Sequence, residues 1–215
     1  MIGLEAEKQM AMAGEYPDKV IACFGGGSNF SGLAFPFMRH NLLDGKQTEF
    51  IAAEPSSCPK LTRGKFEYDF GDEAGYTPLL PMYTLGHDFK PANIHAGGLR
   101  YHGAGTIISQ LVKDKLMHGV DIPQLEAFDA GLLFSRTEGI IPAPESCHAI
   151  ACTIREAKKC KETGEAKVLL FSLSGHGLID MTAYESYLSG DLRNYTISDE
   201  DIAQSLQNVP QVPMK

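Results

Sequence analysis

The chain has 215 residues, of which 43% are hydrophobic and 21% charged, a composition that excludes a disordered or collagen-like protein. Asp and Glu outnumber Lys and Arg by 27 to 19, for a net charge of −8, and no basic run offers a surface for a phosphate backbone, so no nucleic-acid partner is expected. Because the sequence has neither an apolar stretch that could cross a bilayer nor the layout of a secretion signal, we expect a cytoplasmic protein without membrane contact.

Four short apolar runs that end at or near Gly or Pro predict buried strands. In chain order they lie at 19–27, 49–55, 130–135 and 167–175. The segments between them have helical spacing, which predicts a helix over 31–38, one over 108–116 closed by Gly119, and one over 147–157 closed by Gly164. Ser198 is placed to cap a last helix.

Strands that alternate with helices predict an α/β fold, a three-layer αβα arrangement around an open, mainly parallel, twisted sheet. We expect one domain over 1–215 with a flexible tail at 208–215. Residues 56–103 interrupt the pattern, because they are rich in Gly, Pro and aromatic residues and have no sustained period. A segment of this length without regular structure inside a domain is usually functional.

The strongest local signal is the run Gly25, Gly26, Gly27, Ser28 and Asn29, directly after the first predicted strand. Glycines allow a sharp turn that presents backbone N–H groups to an anion at a helix N-terminus, so a phosphate ligand is expected. No Gly-Lys-Ser/Thr follows, which excludes a Walker loop, and the third glycine of a dinucleotide fingerprint would fall at Phe30. The alternative is a tight structural turn at a strand end.

Two further positions offer polar groups near predicted strand or helix ends. Ser174 begins a Ser-Gly-His-Gly turn at the carboxyl end of the last predicted strand, the edge of an α/β sheet where ligands gather. Glu145 follows two prolines at the start of a helix, as an acid in a pocket or as an ordinary first-turn carboxylate. His95 and His102 lack a third ligand of defined spacing, so no zinc site is expected.

Several ordered motifs together resemble one known family. GGGSN at 25–29, HAGGLRYHG at 95–103, EGIIPAPES at 138–146 and LSGHG at 173–177 resemble the tryptophan synthase β chain, a fold-type II enzyme that uses pyridoxal 5′-phosphate (PLP). LTRGKFEYDFG at 61–71 and TPLLPMYTLGHDF at 77–89 resemble its second, diverged type. The resemblance covers residue 1 to about residue 190. It implies the C-terminal domain of a lyase that forms L-tryptophan from L-serine and indole by β-replacement.

The resemblance also implies roles for matched residues. Ser174 would hydrogen-bond the pyridine nitrogen of PLP, and Glu145 would lie beside the ring hydroxyl and the reacting amino acid. Arg100 and Phe70 would belong to the substrate region. The phosphate would be held by Gly25, Gly26, Gly27, Ser28 and Asn29. A monovalent cation, Na⁺ or K⁺, would be bound by the main-chain carbonyls of Gly25, Leu99, Tyr101 and Gly103.

Two departures from the family pattern affect function. Arg100 stands where the better-studied type of β chain has an Asp that helps close the active site, so closure over the substrate must differ. The family's Schiff-base lysine lies in an N-terminal His-Lys-x-Asn segment, and no lysine of this sequence follows a histidine. We therefore expect the C-terminal portion of a β chain, inactive when isolated.

The expected partners are a second copy of the chain, a tryptophan synthase α chain, or a complementing N-terminal portion. Two other functions remain open at this stage. One is another fold-type II PLP lyase, such as a cysteine synthase or a serine/threonine dehydratase, which shares the glycine loop and the serine near the pyridine. The other is a non-catalytic module that binds phosphate or a cofactor.

Overall fold

The computed structural model describes residues 1–212. Its eight α-helices, numbered α1 to α8, are Ile2–Met12, Ser28–Asp44, Lys60–Arg63, Thr106–Lys113, Gln124–Glu138, Pro144–Thr163, Met181–Leu188 and Asp199–Ser205. Its six strands, β1 to β6, are Lys19–Cys23, Glu49–Pro55, Lys65–Asp69, Leu80–Thr84, His118–Ile122 and Leu169–Phe171. Short 3-10 turns lie at Gly97–Leu99 and Leu206–Asn208.

Four of the strands form one parallel sheet in the order β5-β2-β1-β6. In its register, Ile21 of β1 lies opposite Ile51 of β2 and Phe171 of β6. Strands β3 and β4 pair separately as an antiparallel hairpin. The mainly parallel sheet predicted from the alternating pattern is therefore confirmed.

Helices cover both faces of this sheet. Along β1, Val20 and Ala22 point into a core formed with α1, α2 and α4, whereas Ile21 and Cys23 point into a core formed with α5, α6 and α7. Successive side chains of a strand point to opposite faces, which is why one five-residue strand contributes to two cores. The predicted three-layer αβα arrangement is confirmed.

The helix boundaries follow local chemistry where the sequence supplies it. Helix α2 begins after Gly27, whose φ of 119° is accessible mainly to glycine. Helix α6 has Pro144 in its first turn and ends at Gly164 in the left-handed conformation, as predicted. Helix α8 begins at its predicted cap, because the Ser198 side chain accepts the N–H of Asp201 at 3.0 Å.

Two sequence predictions are wrong. The apolar run 130–135, predicted as a strand, lies inside helix α5, where the buried positions Gln124, Ala127, Phe128 and Gly131 follow the helical period. A short apolar run cannot distinguish a buried strand from a buried helix, and tertiary packing decides. The helix predicted to end at Gly119 ends at Lys113. Gly119 belongs to β5, a strand that the sequence did not predict because its polar residues interrupt any apolar run.

The hairpin segment, residues 56–103, is fixed to the sheet by buried polar groups. At its start, the carboxylate of Glu54 accepts N–H groups from Leu61 and Thr62 at 2.9 Å and lies 3.7 Å from the ammonium of Lys60, with both charged side chains fully buried. In the hairpin, buried Asp69 accepts from Thr84 Oγ1 at 2.6 Å and from His87 Nδ1 at 2.7 Å. The expectation of a segment without regular structure is wrong, because α3 and the β3–β4 hairpin lie within it, and these contacts hold them in place.

The chain after α8 packs against the hairpin segment. Val209 is buried beside Leu85 and Ile202, and Asn208 donates to Asp88 at 2.6 Å. Residues 213–215 lie outside the described residues, so the flexible tail at 208–215 stays a prediction. Within 1–212, every helix is too short or too polar to cross a membrane.

Candidate active site

Two glycine-rich turns meet at the carboxyl edge of the parallel sheet. They follow β1 and β6, which are neighbours in the sheet. Asn29 Nδ2 donates a hydrogen bond to Ser174 Oγ, and Ser172 Oγ donates to Asn29 Oδ1 at 3.1 Å. The structure thus brings together the two segments that the sequence singled out separately.

The N-terminus of α2 is open to an anion. Its N-cap is Gly27, and no side chain caps the helix. The first N–H groups of a helix have no partner within the helix, and the helix dipole adds positive potential there. Gly26 and Ser28 are exposed. A phosphate fits this arrangement, because backbone N–H groups at a helix N-terminus are a standard anion site.

The glycines of the loop differ in the space around them. A Cβ on Gly25 would lie 2.4 Å from the carbonyl oxygen of Gly98, so the two backbones touch. A Cβ on Gly26 would meet only the ring of Tyr101, at 3.5 Å. Gly25 therefore serves packing against the 97–99 turn, whereas Gly26 keeps the surface of the loop free for a ligand.

Glu145 lies in the first turn of α6 and is half-buried. Its Oε1 accepts the N–H of Gly98 at 2.9 Å, which ties the 97–99 turn to the start of α6. Glu145 is thus a first-turn carboxylate that also contacts the turn packed against Gly25, and its role as a pocket acid stays a prediction. The Oε2 atom remains available to another group.

Ser174 is held by two contacts in which it is the acceptor. Its Oγ accepts from Asn29, and its main-chain carbonyl accepts from Ser146 Oγ. Gly175 follows with a φ of +83°, which turns the chain away. The hydroxyl can therefore donate to a neutral acceptor placed over this edge.

Nearby titratable groups are held in their neutral forms. Burial, followed by the Glu145 carboxylate, raises the pKa of the Cys23 thiol to about 12, and burial raises the pKa of Cys147 to about 12. Neither thiol is a thiolate nucleophile at neutral pH. Burial lowers the pKa of His148 to about 4. Its Nδ1 donates to the carbonyl of Pro144 at 2.8 Å and so holds the first turn of α6.

The substrate-region residues predicted from the resemblance lie in the hairpin segment. Arg100 Nη1 donates to Asn93 Oδ1 at 2.8 Å, and within residues 1–212 its Nε has no partner. The main-chain carbonyl of Phe70 accepts from His102 Nε2 at 2.8 Å. Tyr101 links this segment to the glycine loop, because its ring lies over Gly26 and its hydroxyl donates to Gly71 O at 2.6 Å.

The structure gives less support for a metal site than for a phosphate site. Among the described residues, no group of three or more His, Cys, Asp or Glu side chains is arranged to hold an ion. Of the four residues expected to supply carbonyls to a monovalent cation, Gly25 and Leu99 are neighbours, since a Cβ on Gly25 would lie 3.4 Å from Leu99 Cα. The Leu99 carbonyl also accepts the N–H of Tyr101 at 3.0 Å.

Sequence reasoning missed two serines that hold the site together. Ser172 bonds to Asn29, and Ser146 bonds to the carbonyl of Ser174. Their partners are 143 and 28 residues away along the chain, so no local pattern could reveal these contacts. The available signal was only their position, since Ser172 lies shortly before Ser174 on the same strand end and Ser146 lies beside Glu145.

Known proteins resemble this chain over most of its length. It is 55% identical over 193 residues to tryptophan synthase beta chain 2 of Methanothermobacter thermautotrophicus, and 56% identical over 195 residues to that of Aquifex aeolicus. In both comparisons the match covers 89% of this chain and 45% of the relative. The tryptophan synthase beta chain of Pseudothermotoga lettingae is 58% identical over 184 residues, 86% of this chain and 43% of the relative. The chain thus spans less than half the length of these curated relatives, and the resemblance read from the motifs is confirmed.

Solved structures share the fold at low sequence identity. A threonine deaminase from T.th. superposes with a TM-score of 0.60 at 21% identity, covering 81% of this chain and 54% of that one. A fungal L-serine ammonia-lyase from Rhizomucor miehei gives a TM-score of 0.61 at 14% identity, covering 88% and 55%. These likenesses support the fold class alone.

A family model described as pyridoxal-phosphate dependent enzyme matches residues 1–175. That match includes β1, the glycine loop, Glu145 and Ser174, and it ends at Gly175 in the second turn. The chain therefore belongs to the family of pyridoxal-phosphate dependent enzymes.

Proposed function

We propose that this chain forms the cofactor-binding part of a tryptophan synthase β chain, which joins L-serine and indole into L-tryptophan by β-replacement. The observation that carries the proposal is the uncapped N-terminus of α2 lying beside Ser174 at one sheet edge. The identity of 51–58% to tryptophan synthase β chains supports this activity over that of a cysteine synthase or a dehydratase. When bound, PLP supplies an electron sink for charge that develops on the amino acid.

Each site residue has a distinct task in this proposal. The N–H groups of Gly26, Gly27 and Ser28 bind the phosphate, and Asn29 keeps Ser174 in place. The Ser174 hydroxyl donates to the pyridine nitrogen. Because a serine cannot protonate that nitrogen as an aspartic acid can, Ser174 would keep a bound ring a moderate electron sink, suited to β-replacement. Glu145 would lie beside the ring hydroxyl and the reacting amino acid.

The proposal extends to the remaining ligands and partners. A monovalent cation would be held by main-chain carbonyls of the four residues Gly25, Leu99, Tyr101 and Gly103. The contact between Gly25 and the 97–99 turn supports the first two of these. Arg100 and Phe70 would face the substrate region. A second copy of the chain and a tryptophan synthase α chain are the expected protein partners, by analogy with the relatives.

Cofactor binding is tested by a graded change at Gly26. We expect PLP to bind the purified chain, Gly26→Ala to weaken binding, and Gly26→Val to weaken it at least tenfold, because the added carbons occupy the space of the phosphate. The matched control is Gly32→Ala, since a Cβ on this glycine of α2 meets nothing within 4 Å. Calorimetry with PLP and with inorganic phosphate gives the affinities. Equal affinities in parent and Gly26→Val would remove the loop as the phosphate site.

The reaction is tested by supplying the segment that carries the lysine. No lysine here follows a histidine, so we expect no tryptophan from serine and indole with this chain alone. Mixed with the N-terminal portion of the Methanothermobacter thermautotrophicus relative, the chain should form tryptophan, detected by chromatography. The Ser174→Ala variant should lower PLP affinity in the mixture by about 0.5–1.5 kcal/mol, the value of a neutral hydrogen bond. Turnover by the isolated chain, or PLP binding in the mixture without turnover, would contradict this assignment.

A further inference from the structure

A second recess lies between α8 and the loop that follows β4. Its volume is about 490 Å³, within the range of 300–1,000 Å³ typical of small-molecule sites. The residues that line it include none of those assigned to the candidate active site. Those used below are Ser57, Asp88, Phe89, Tyr195, Asp201 and Asn208.

Two polar atoms in the wall of this cavity lack hydrogen-bond partners within residues 1–212. Ser57 is only 5% exposed, and its Oγ is unpartnered. Asp88 Oδ2 accepts from Asn208 Nδ2 at 2.6 Å, but its Oδ1 is buried without a partner. Native proteins leave few buried polar atoms unsatisfied, and each such atom calls for an explanation. Two of them in the wall of one cavity point to a ligand that would pair with them.

The charges around the cavity favour a cation. Lys90 also lines it, but its side chain is 82% exposed and its Nζ lies 3.7 Å from the carboxylate of Glu73. Arg63, whose Nη1 donates to the Ile197 carbonyl at 2.7 Å, is neutralised by its ion pair with Asp199. In the described part of the chain, neither Asp88 nor Asp201 has a cationic partner. Among the residues that line the cavity, the uncompensated charge is therefore negative.

The walls also favour an apolar body. Phe89 packs against the small core of Leu85 and Ile202 and is half-buried, and Tyr195 is 38% exposed. A bare metal ion is a poor fit, because the described residues hold no cluster of three or more side chains of the metal-ligating types. A primary ammonium group, with three donors and one positive charge, matches the carboxylate of Asp88 and the hydroxyl oxygen of Ser57.

We propose that this cavity binds a small organic ammonium ion with a flat apolar body. The ammonium group donates to Asp88 Oδ1 and Ser57 Oγ, and the apolar body lies between Phe89 and Tyr195. Both oxygens are closed off from water by the cavity wall, so binding requires the side chains of Ser57 and Asp88 to move between rotamers. This site is independent of the PLP proposal and shares no residue with it.

The test uses 2-phenylethylamine as the probe and 2-phenylethanol as its uncharged counterpart. Calorimetry on the purified chain without added PLP should show saturable one-site binding of the amine and none of the alcohol. Asp88→Asn should weaken amine binding at least tenfold, and Ser57→Ala about threefold. The matched control is Glu200→Gln, which removes one exposed charge from α8 outside the cavity lining and should change affinity less than twofold.

Several outcomes would overturn the proposal. These are equal binding of the alcohol and the amine, no saturable binding, an unchanged affinity in Asp88→Asn, or an equal loss in Glu200→Gln, which would show surface attraction only. If circular dichroism shows that Asp88→Asn alters the fold, Ser57→Ala decides, because it keeps the charge. Nuclear Overhauser contacts from the probe ring to Phe89 and Tyr195 would support the proposed position, and their absence in a saturated sample would refute it.

Discussion

The sheet edge at the glycine loop (residues 25–29) and Ser174, called the glycine-loop edge below, uses polar groups in the opposite way to the hairpin segment (residues 56–103). At the edge, the first turn of α2 has no capping side chain, and Ser174 keeps a proton to donate. In the hairpin segment, buried Asp69 accepts from Thr84, His87 and the N–H of Phe70. Donors left open are available to a ligand, whereas donors paired internally hold a backbone that has little regular structure. The contrast supports the proposal that the edge is the binding surface and the hairpin segment its support.

The largest effect is expected from breaking the buried pair that anchors the hairpin segment. Burial raises the pKa of Glu54 and lowers that of Lys60, and each group compensates the other's charge. Glu54→Ala leaves the Lys60 ammonium and three donors without a carboxylate, so the free energy of unfolding should fall by about 3–5 kcal/mol. Urea unfolding followed by circular dichroism measures the loss.

The matched variant for this pair is the double change Glu54→Gln with Lys60→Met. It removes both charges while an amide oxygen still accepts the N–H groups of Leu61 and Thr62. It should therefore recover most of the stability lost in Glu54→Ala. A double variant as unstable as the single one would show that hydrogen-bond geometry, and not the uncompensated charge, dominates.

A smaller loss is expected where the two regions touch. Gly25→Ala places a Cβ 2.4 Å from the Gly98 carbonyl oxygen, so one backbone must shift. The free energy of unfolding should fall by about 3 kcal/mol, the upper end for overpacking. Gly97→Ala is the control, because a Cβ there meets nothing within 4 Å. Equal thermal stability of the two variants would show that the contact relaxes without cost.

The pH dependence of stability tests the first turn of α6, which His148 holds through the carbonyl of Pro144. The pKa of His148 is about 4 in the folded chain and about 6.5 when unfolded, so the unfolded chain binds more protons between these values. The stability from neutral His148 is therefore present above pH 6.5 and lost as the pH falls towards 4. Between pH 7 and pH 5 the loss should be about 2 kcal/mol, and His148→Gln should lack it. The same pH slope in parent and variant would contradict this account.

The parts of the fold that are predictable from the sequence depend on neighbours along the chain. Gly164 ends α6 and Ser198 caps α8 because a few adjacent residues decide those conformations. The run 130–135 is ambiguous because its apolar residues suit a strand or a helix equally until a packing surface selects one. The short strand β5 escapes prediction because Asp121 and Gly119 interrupt any apolar run.

The candidate site likewise has parts that the sequence predicts and parts that it does not. The glycine loop and the Ser174 turn each follow an apolar run, so each can be found alone. Their contact depends on β1 and β6 being neighbours, which is a property of the sheet order and not of either segment. Other hydrogen bonds join residues that are far apart in sequence, namely the bond from Ser146 to the Ser174 carbonyl and the bonds to Asp69. The residue types alone do not predict these bonds.

The contact between Gly25 and Gly98 makes the glycine loop and the 97–99 turn one mechanical unit. No side chain separates the two backbones. A displacement of the 97–99 turn is therefore transmitted directly to the loop. Glu145 holds the same turn from the opposite side through the N–H of Gly98. A ligand that moved Arg100 or Tyr101 would therefore also move the glycine loop, so that occupancy of one position would be felt at the other.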